Sequence, residues 1–212
     1  MPSKPKAPFS DAARTWNQRF DRADFLFGTE PNRWLVSQRA QLPAAGRVLS
    51  VADGEGRNSV WLAGQGLEVD AFDIAEVGVA KARALAARSG VAIRHAVMDG
   101  DAVPWPRGVY DCVVAIFIQF ADPAMRRRLF RHMTAVLKPG GVLLLQGYTP
   151  RQLEYRTGGP PILSHLYTAA QLRRELTGLD IVSLTEYEDD LSEGPGHSGR
   201  SALVGLVGRR PR

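Results

Sequence analysis

Apolar runs alternate with segments of helical periodicity through the middle of the chain, and no other feature constrains the fold as strongly. Five of these runs have the length and composition of strands, at residues 48–52, 68–74, 92–98, 112–118 and 142–148. Between them lie segments that predict helices, at residues 57–65, 76–88 and 123–137, the last ending in a turn at residues 138–141. This order favours a parallel, doubly wound α/β sheet with right-handed crossovers.

The two ends of the chain depart from this alternation. Before the sheet, the spacing of aromatic residues predicts a helix over residues 11–22, and a second helix is predicted to begin near Pro31. After the sheet, the runs at residues 181–188 and 202–207 are joined by a glycine-rich loop at residues 193–199. Adjacent strands joined by a loop predict an antiparallel pair. The sequence therefore predicts seven strands, mostly parallel, with an antiparallel C-terminal hairpin.

The length of 212 residues fits one α/β domain with modest extensions. We expect a mobile leader over residues 1–10 and a single domain over residues 11–210. Within the domain, residues 11–45 are predicted to form a helical lid and residues 46–150 a ligand-binding core. Residues 151–210 are predicted to form a substrate-side segment and the hairpin.

Composition excludes several classes of protein. The single cysteine, Cys112, lies in an apolar run, so no disulfide can form within the chain and a reducing, cytoplasmic setting is expected. Neither Cys-x-x-Cys spacing nor a His/Asp/Cys cluster predicts a metal site. The first residues have no apolar core of a signal peptide, and the apolar runs are far shorter than the ~20 residues of a membrane helix. No membrane partner is expected.

The net charge of +5 raises the question of nucleic acid as a partner. The basic residues are dispersed, however, and the densest group lies on a predicted amphipathic helix: Arg126, Arg127, Arg128 and Arg131. Such a group is typical of a solvated helix face. We therefore expect a small-molecule substrate and no nucleic acid, and the sequence does not predict an oligomeric state.

The first strand of the core is followed by a Gly-x-Gly turn and a helix, in VLSVADGEGRNSVW. Gly54 and Gly56 would let the backbone approach a ligand, and the helix from Arg57 would present free N–H groups to a carboxylate. Ligands of open α/β sheets bind at such strand ends. A dinucleotide fingerprint would need a third glycine where Ser59 stands, which disfavours a nicotinamide cofactor without excluding it.

Acidic residues follow the next two strands. Asp73 lies 19 residues after Gly54, the distance at which an acid binds ribose hydroxyls in nucleotide-binding folds, and this role is favoured over the alternative of a cap on the following helix. Asp99 could accept a hydrogen bond from an adenine amino group and Gly100 could donate its N–H to the ring, unless this segment is only a polar loop. Predicted cofactor contacts also include Ala52, Asp53, Asn58, Ile74, Ile116 and Phe117, of which the last two could instead be ordinary core.

These pieces carry a resemblance that covers residues 16–209. VLSVADGEGRNSVWLA, EVDAFDIAEVGVAKA, the turn at residues 98–100, YDCVVAIFIQF and LKPGGVLLLQGYTP resemble class I S-adenosylmethionine-dependent methyltransferases, which have a Rossmann-like fold. WNQRF…FGTEPN and EGPGHSG are similar to segments of the tellurite-resistance and thiopurine methyltransferase-like group. The resemblance implies that residues 52–56 wrap the methionine part, Asp73 holds the ribose and Asp99 meets the adenine. It departs from the usual D-x-G-x-G-x-G at Ser50 and Ala52, and Asp53 stands where a small residue is usual.

Methyl transfer from a sulfonium is an in-line displacement that needs alignment more than acid–base help. An amine or hydroxyl acceptor would need a proton acceptor, and the sequence offers only isolated possibilities: His197, Glu193, His165, Tyr148 and Tyr155. Each of these could instead be structural. Tyr148 and Tyr155 are also predicted to lie near the substrate.

The N-terminal segment offers a lid over the cofactor. Trp16, Phe20, Phe27 and Gly28 could fold over the site and exclude water, while Arg19 meets the cofactor carboxylate. Plain packing of the helix against the sheet is the alternative.

Four functions follow from these patterns. The leading one is S-adenosylmethionine-dependent methylation of a small thiol, chalcogen compound or amine. Methylation of protein or RNA is a second, which the compact size disfavours. A nicotinamide-dependent oxidoreductase is a third, which Ser59 and the antiparallel tail disfavour. A cofactor-binding protein without catalysis is a fourth, because no base is evident and the turn is altered.

Overall fold

A computed structural model of the chain describes residues 11–212. The leader predicted for residues 1–10 lies outside the described residues. Seven strands form one sheet in the order β3-β2-β1-β4-β5-β7-β6. Their bounds are β1 Arg47–Val51, β2 Glu68–Asp73, β3 Ile93–Val97, β4 Tyr110–Ile116, β5 Leu137–Tyr148, β6 Asp180–Ser192 and β7 Ser198–Arg209.

Seven α-helices and two 3₁₀ helices are found among the described residues. The α-helices are α1 Ala12–Phe20, α2 Arg33–Ser37, α3 Arg57–Gly64, α4 Glu76–Arg88, α5 Pro123–Val136, α6 Gln152–Tyr155 and α7 Ala169–Glu175. The 3₁₀ helices are Arg39–Gln41 and Leu163–His165. In residues 11–212, none of the helices combines the length and apolar character that crossing a bilayer requires.

Strands β1 to β5 are parallel to one another, while β7 runs antiparallel to both β5 and β6. The order reverses between β1 and β4, because the chain first winds outward through β2 and β3 and then crosses back. A cleft forms at the carboxyl ends of the strands at such a switch point. The predicted α/β sheet, mostly parallel with an antiparallel C-terminal hairpin and preceded by N-terminal helices, is confirmed.

Both faces of the sheet are covered, as a nearly continuous apolar central strand requires. Alternate residues of β5 serve the two sides: Leu143 and Leu145 pack with Phe130 of α5, whereas Leu144 packs with Leu62 of α3. All five side chains are fully buried.

Side-chain caps set several helix starts. Asn32 accepts a hydrogen bond from the Leu35 N–H, so the second helix begins at Arg33 rather than at Pro31. Asp122 accepts from the N–H groups of Ala124 and Met125, directly before Pro123 opens α5.

Two boundaries differ from the sequence prediction for reasons that lie outside the local pattern. The expected turn at residues 138–141 belongs to β5, because Lys138 binds the Asp111 carboxylate at 2.8 Å and Gly140 donates its N–H to the Arg210 carbonyl. The hairpin strands are longer than predicted, because their polar ends continue to pair across the ladder. Glu188 and Arg200, for example, form an ion pair at 2.7 Å.

Candidate functional site

A cavity of about 330 Å³ lies at the carboxyl ends of β1 to β4, and α1 contributes to its wall. The structure brings most of the predicted site residues together around it: Trp16, Arg19, Phe27, Ala52, Asp53, Gly54, Asn58, Asp73, Ile74, Asp99, Gly100, Ile116, Phe117, Tyr148 and His197. The other predicted residues lie outside its lining: Gly28, Gly56, Tyr155, His165 and Glu193.

The two glycines of the turn after β1 have different roles. Gly54, with φ +60°, lines the cavity, and its N–H donates to the Asp73 carboxylate at 2.9 Å. Gly56, with φ +93°, faces α4 instead: a Cβ there would lie 2.7 Å from the Ala82 Cβ. The close approach that Gly56 permits is therefore between two helices, whereas sequence reasoning had assigned it to the cofactor.

Asp53 is held beneath the turn. Its side chain is 2% exposed and accepts hydrogen bonds from the hydroxyls of Ser50 at 2.7 Å and Ser59 at 2.5 Å. Burial raises the pKa of Asp53, and His95 Nε2 lies 4.0 Å away. Ser50 stands where the usual methyltransferase motif has Asp, and Ser59 stands where a dinucleotide fingerprint would have glycine. Both have a local explanation, because they bind the Asp53 carboxylate and tie β1 to α3.

Asp73 ends β2 with both carboxylate oxygens engaged. One accepts from the Gly54 N–H and the other from the Ala75 N–H, each at 2.9 Å. Burial raises the pKa of Asp73 to about 6. The backbone bond to Ala75 resembles the alternative capping role, but the residue also lines the cavity and fixes the turn beside it.

The third acid, Asp99, lies at the rim. Its side chain accepts from the Asp101 N–H at 2.9 Å, and the residue is exposed. Gly100 is buried, and its carbonyl accepts a hydrogen bond from the Trp105 indole at 2.9 Å. The segment is thus both a turn and part of the cavity wall.

Aromatic rings of the N-terminal segment close one side of the cavity. Trp16 stacks on Phe20 at 5.4 Å, and Phe27 meets the edge of Phe20 at 6.2 Å. The Arg19 guanidinium lies 4.3 Å above the Trp16 ring, and among residues 11–212 it forms no ion pair. Gly28, with φ +69°, packs against the backbone of Gly194 rather than against the cavity.

A second aromatic group lies at the end of β4. The rings of Phe117 and Tyr148 stack at 4.6 Å, and His197 lies 4.4 Å from Phe117 and 4.3 Å from Phe27. Burial and the positive charges of Arg57 and Arg19 hold the pKa of His197 well below its usual range. Its imidazole is therefore neutral at pH 7.

Three buried polar atoms around the cavity have no hydrogen-bond partner among the described residues: Arg57 Nη1, Tyr148 Oη and His197 Nδ1. Each of the three residues is less than 9% exposed. Buried polar groups are normally satisfied, so these atoms leave hydrogen-bonding capacity unused in the wall of the cavity. Burial also raises the pKa of the Tyr148 hydroxyl, which keeps it protonated and able to donate.

The remaining candidates for a proton acceptor are committed elsewhere. Glu193 forms an ion pair with Arg57 at 2.8 Å and accepts hydrogen bonds from Asn32 Nδ2 and the Arg33 N–H, each at 3.0 Å. His165 Nδ1 lies 3.0 Å from the Gln119 carbonyl oxygen. Tyr155 packs against the Arg151 guanidinium at 5.7 Å. Of the five candidates, only Tyr148 and His197 line the cavity.

Sequence reasoning missed several lining residues. Arg57 could have been noticed, because it directly follows the Gly-x-Gly turn. Several others gave no local signal, since their position depends on how distant segments fold back: Gln119, Phe120, Met125, Gly159, Pro160 and Pro161.

Known proteins resemble this chain in sequence and in fold. Residues 48–141 match the model of a methyltransferase domain family. A curated relative, the ribosomal RNA small subunit methyltransferase C of Alcanivorax borkumensis, is 34% identical over 134 residues, or 61% of this chain. The chain spans 40% of that relative's length.

Solved structures share the fold at lower identity. The N-methyltransferase NodS of Bradyrhizobium japonicum, in complex with S-adenosyl-l-homocysteine, aligns with a TM-score of 0.72 over 94% of this chain and 98% of its own at 17% identity. A structure from work on the conversion of a disulfide bond into a thioacetal group during echinomycin biosynthesis aligns with a TM-score of 0.79, over 94% and 92%, at 17% identity. Residues 48–141 are therefore similar to a methyltransferase domain, and the fold that class I methyltransferases have is confirmed. The finer likeness to the tellurite-resistance and thiopurine group stays a prediction.

Proposed function

We propose that the protein is an S-adenosylmethionine-dependent methyltransferase whose acceptor is a small thiol, chalcogen compound or amine. The observation that carries the proposal is the cavity at the β1/β4 switch point, where the Gly54 turn, Asp73 and Asp99 converge from three strand ends. The methyltransferase domain match over residues 48–141 supports it independently.

The residues present fit an adenosyl ligand. Ala52 and Gly54 leave backbone exposed for the methionine part, with Asn58 close by. Each Asp73 oxygen accepts one backbone hydrogen bond and keeps a lone pair for a ribose hydroxyl. Asp99, with Gly100 beside it, has the chemistry to meet an adenine amino group. S-Adenosylmethionine would supply a methyl group already activated by a positive sulfur.

The chain's own residues then position the acceptor. Phe117 and Tyr148 form a stacked wall, and the unpartnered atoms of Arg57, Tyr148 and His197 offer hydrogen bonds to an acceptor group. A neutral His197 can accept a hydrogen bond from a thiol or hydroxyl acceptor, although its lowered pKa makes it a weak base. Alignment of the acceptor with the methyl group would lower the barrier by up to roughly 7–11 kcal/mol.

Arg19 is proposed to bind the cofactor carboxylate, with the aromatic side chains of residues 11–45 as the lid. Replacing Arg19 with Ala should weaken S-adenosylhomocysteine binding about tenfold or more in calorimetry, because a charge-assisted hydrogen bond contributes roughly 1.5–3 kcal/mol. Arg14→Ala on the same helix is the control, since Arg14 is exposed and pairs with Asp11. Equal affinity of the two variants would end the assignment.

The cofactor itself is tested by ligand-dependent thermal unfolding. Binding stabilises the folded state by mass action, so S-adenosylhomocysteine should raise the Tm and NAD should not. A shift with NAD alone would refute the proposal. A transfer assay with labelled S-adenosylmethionine over thiols, selenite, tellurite and amines would then identify the acceptor.

RNA is the second candidate acceptor, because the curated relative is named as a ribosomal RNA methyltransferase. The densest basic group gives it little support. Arg126 forms a buried ion pair with Glu175 at 2.9 Å, and Arg128 pairs with Asp101 at 2.7 Å, so two of its four charges are neutralised. Incorporation of label into ribosomal RNA, but not into any small acceptor of the screen, would favour RNA over the leading proposal.

A further inference from the structure

Glu55, between the two glycines of the turn, turns its side chain away from the cavity. Its carboxylate is 2% exposed. One oxygen accepts hydrogen bonds from the Leu26 N–H at 2.8 Å and the Phe27 N–H at 3.4 Å. The other lies 2.6 Å from Lys81 Nζ. Glu55, which belongs to the Gly54 turn on one side of the cavity, therefore holds the backbone of the opposite wall, which includes Phe27.

Lys81, on α4, binds backbone carbonyl groups of the same wall. Its ammonium lies 3.3 Å from the Phe20 oxygen, 3.2 Å from the Arg22 oxygen and 2.5 Å from the Asp24 oxygen. The side chain is 17% exposed, so these contacts are largely withdrawn from water. The Lys81 ammonium thus contacts three backbone carbonyl groups of an irregular segment and also pairs with the Glu55 carboxylate.

This irregular segment, residues 20–27, is called the lid loop below. At its two ends, further hydrogen bonds hold the region: the Val77 N–H donates to Asn17 Oδ1, and the Gly196 N–H donates to the Leu26 carbonyl. Apart from the bond from Gly196, Glu55 and Lys81 supply every long-range hydrogen bond that is seen for residues 20–27 in the described part of the chain.

We propose that Glu55 and Lys81 form a latch that couples the Gly54 turn to the lid loop, so that a ligand seated on the turn stabilises the closed loop. The coupling rests on the proposed function, because it takes the ligand to be the adenosyl cofactor. The ligand would contact Gly54 on one side and Phe27 on the other, while the latch joins these two walls behind it. Coupling is reciprocal, so a closed loop must in turn tighten ligand binding. Neither latch residue lines the cavity, so both are positioning residues.

Limited digestion with trypsin tests the latch, because Arg19 and Arg22 offer cleavage sites at the lid loop. We expect Lys81→Met to be cut at these two sites at least fivefold faster than the wild type without ligand, as read by mass spectrometry. The matched control is Arg83→Met, which makes the same replacement at an exposed cation two residues along α4. The control should be cut at the wild-type rate.

The coupling is read from the effect of S-adenosylhomocysteine on the same cleavage. Saturating ligand should slow cleavage of the wild type and of Arg83→Met at least tenfold, and slow Lys81→Met less than threefold. Calorimetry should show at least tenfold weaker binding to Lys81→Met. A lowered Tm alone would not produce this change in the protection ratio, so the ratio separates coupling from stability.

The double variant Glu55→Gln/Lys81→Met removes both charges and leaves neither buried alone. The double variant takes the place of Lys81→Met in the digestion experiment if Lys81→Met does not fold. It should show the same loss of protection by S-adenosylhomocysteine. Equal ligand-free cleavage of the latch variant and the Arg83→Met control would overturn the latch. An unchanged protection ratio would overturn the coupling. If the wild type itself fails to bind S-adenosylhomocysteine, the proposed function and the coupling fall, whereas the ligand-free comparison still decides the latch.

Discussion

Gly54 and Gly56 are separated by one residue, yet each has different surroundings and a different reason to be glycine. Gly54 faces the cavity, and its nearest neighbour is the Phe20 ring, 3.3 Å from where a Cβ would lie. Gly56 faces Ala82 of α4 at distances that a real Cβ does not reach, and its φ of +93° is unfavourable for other residues. The first position therefore borders the cavity, and the second allows two helices to pack closely.

Gly56→Ala should consequently act on stability. We expect the free energy of unfolding to fall by about 2–4 kcal/mol, from overpacking together with the strained φ. Urea unfolding followed by circular dichroism measures the change. Gly64→Ala in α3 is the control, because a Cβ there meets nothing within 4 Å, and it should stabilise by about 0.5–1 kcal/mol. Equal effects of the two substitutions would contradict the packing role of Gly56.

Asp73 should give ligand binding a pH dependence. Its pKa is raised to about 6 in the folded chain, so the carboxyl is ionised above pH 6 and protonated below it. The ionised form has the larger capacity to accept hydrogen bonds from ribose hydroxyls. Affinity for S-adenosylhomocysteine should therefore fall as the pH is lowered from 7 to 5, by up to about tenfold per pH unit below 6.

Calorimetry between pH 5 and pH 8 measures this profile. In Asp73→Asn, the affinity should be weaker and almost independent of pH over the same interval, because the amide does not titrate there. If the wild type and the variant gave profiles of the same slope, another group would be responsible.

At the scale of elements, a buried polar network joins the C-terminal hairpin to the start of α3, directly after the Gly54 turn. Glu193, after β6, pairs with Arg57 at the start of α3. Asn32, before α2, donates to Glu193 and also to Gln146 of β5, the latter at 2.8 Å. The loop that carries His197 into the cavity is thereby fixed directly to Arg57 and Asn32 and, through Asn32, to β5.

Breaking this network should be costly. Glu193→Gln removes the charge partner of Arg57, whose side chain is only 7% exposed, and should lower the free energy of unfolding by about 3–5 kcal/mol. Glu188→Gln, in the adjoining strand β6, is the control, because its ion pair with Arg200 is exposed to solvent and its loss should cost much less. Urea denaturation compares them. Adding Arg57→Met to Glu193→Gln should recover part of the loss, and a further loss instead would argue against an unpaired charge as the cause.

At the scale of the whole molecule, stability depends on apolar packing on both faces of one sheet. Leu144 of β5 is fully buried against α3, whereas Leu163 is 61% exposed in a short 3₁₀ helix. Leu144→Ala should therefore cost about 2–5 kcal/mol of unfolding free energy, and Leu163→Ala less than about 0.5 kcal/mol. Denaturant midpoints report both. A similar loss at Leu163 would indicate that this residue is covered in solution.

Periodicity and turn chemistry predicted the sheet, its hairpin and most of the helices, because both act over a few neighbouring residues. They failed at the start of β5 and at the ends of the hairpin. There, Lys138 and Arg200 hold strands through ion pairs with residues distant in the sequence. The local sequence pattern does not indicate which distant residue such a charged side chain pairs with.

The sequence by itself determined the α/β order, the glycine turn after β1 and the acids Asp73 and Asp99 at the strand ends, since a strand carries its terminal residues to a known edge of the sheet. Only the tertiary structure decided what the other polar residues do. It brought His197 and Tyr148 to the cavity and turned Glu193 to Arg57, and it set Lys81 against the lid loop. The physical reason is that the burial and pairing of a side chain depend on all the segments packed around it. Those segments are distant from one another in the sequence.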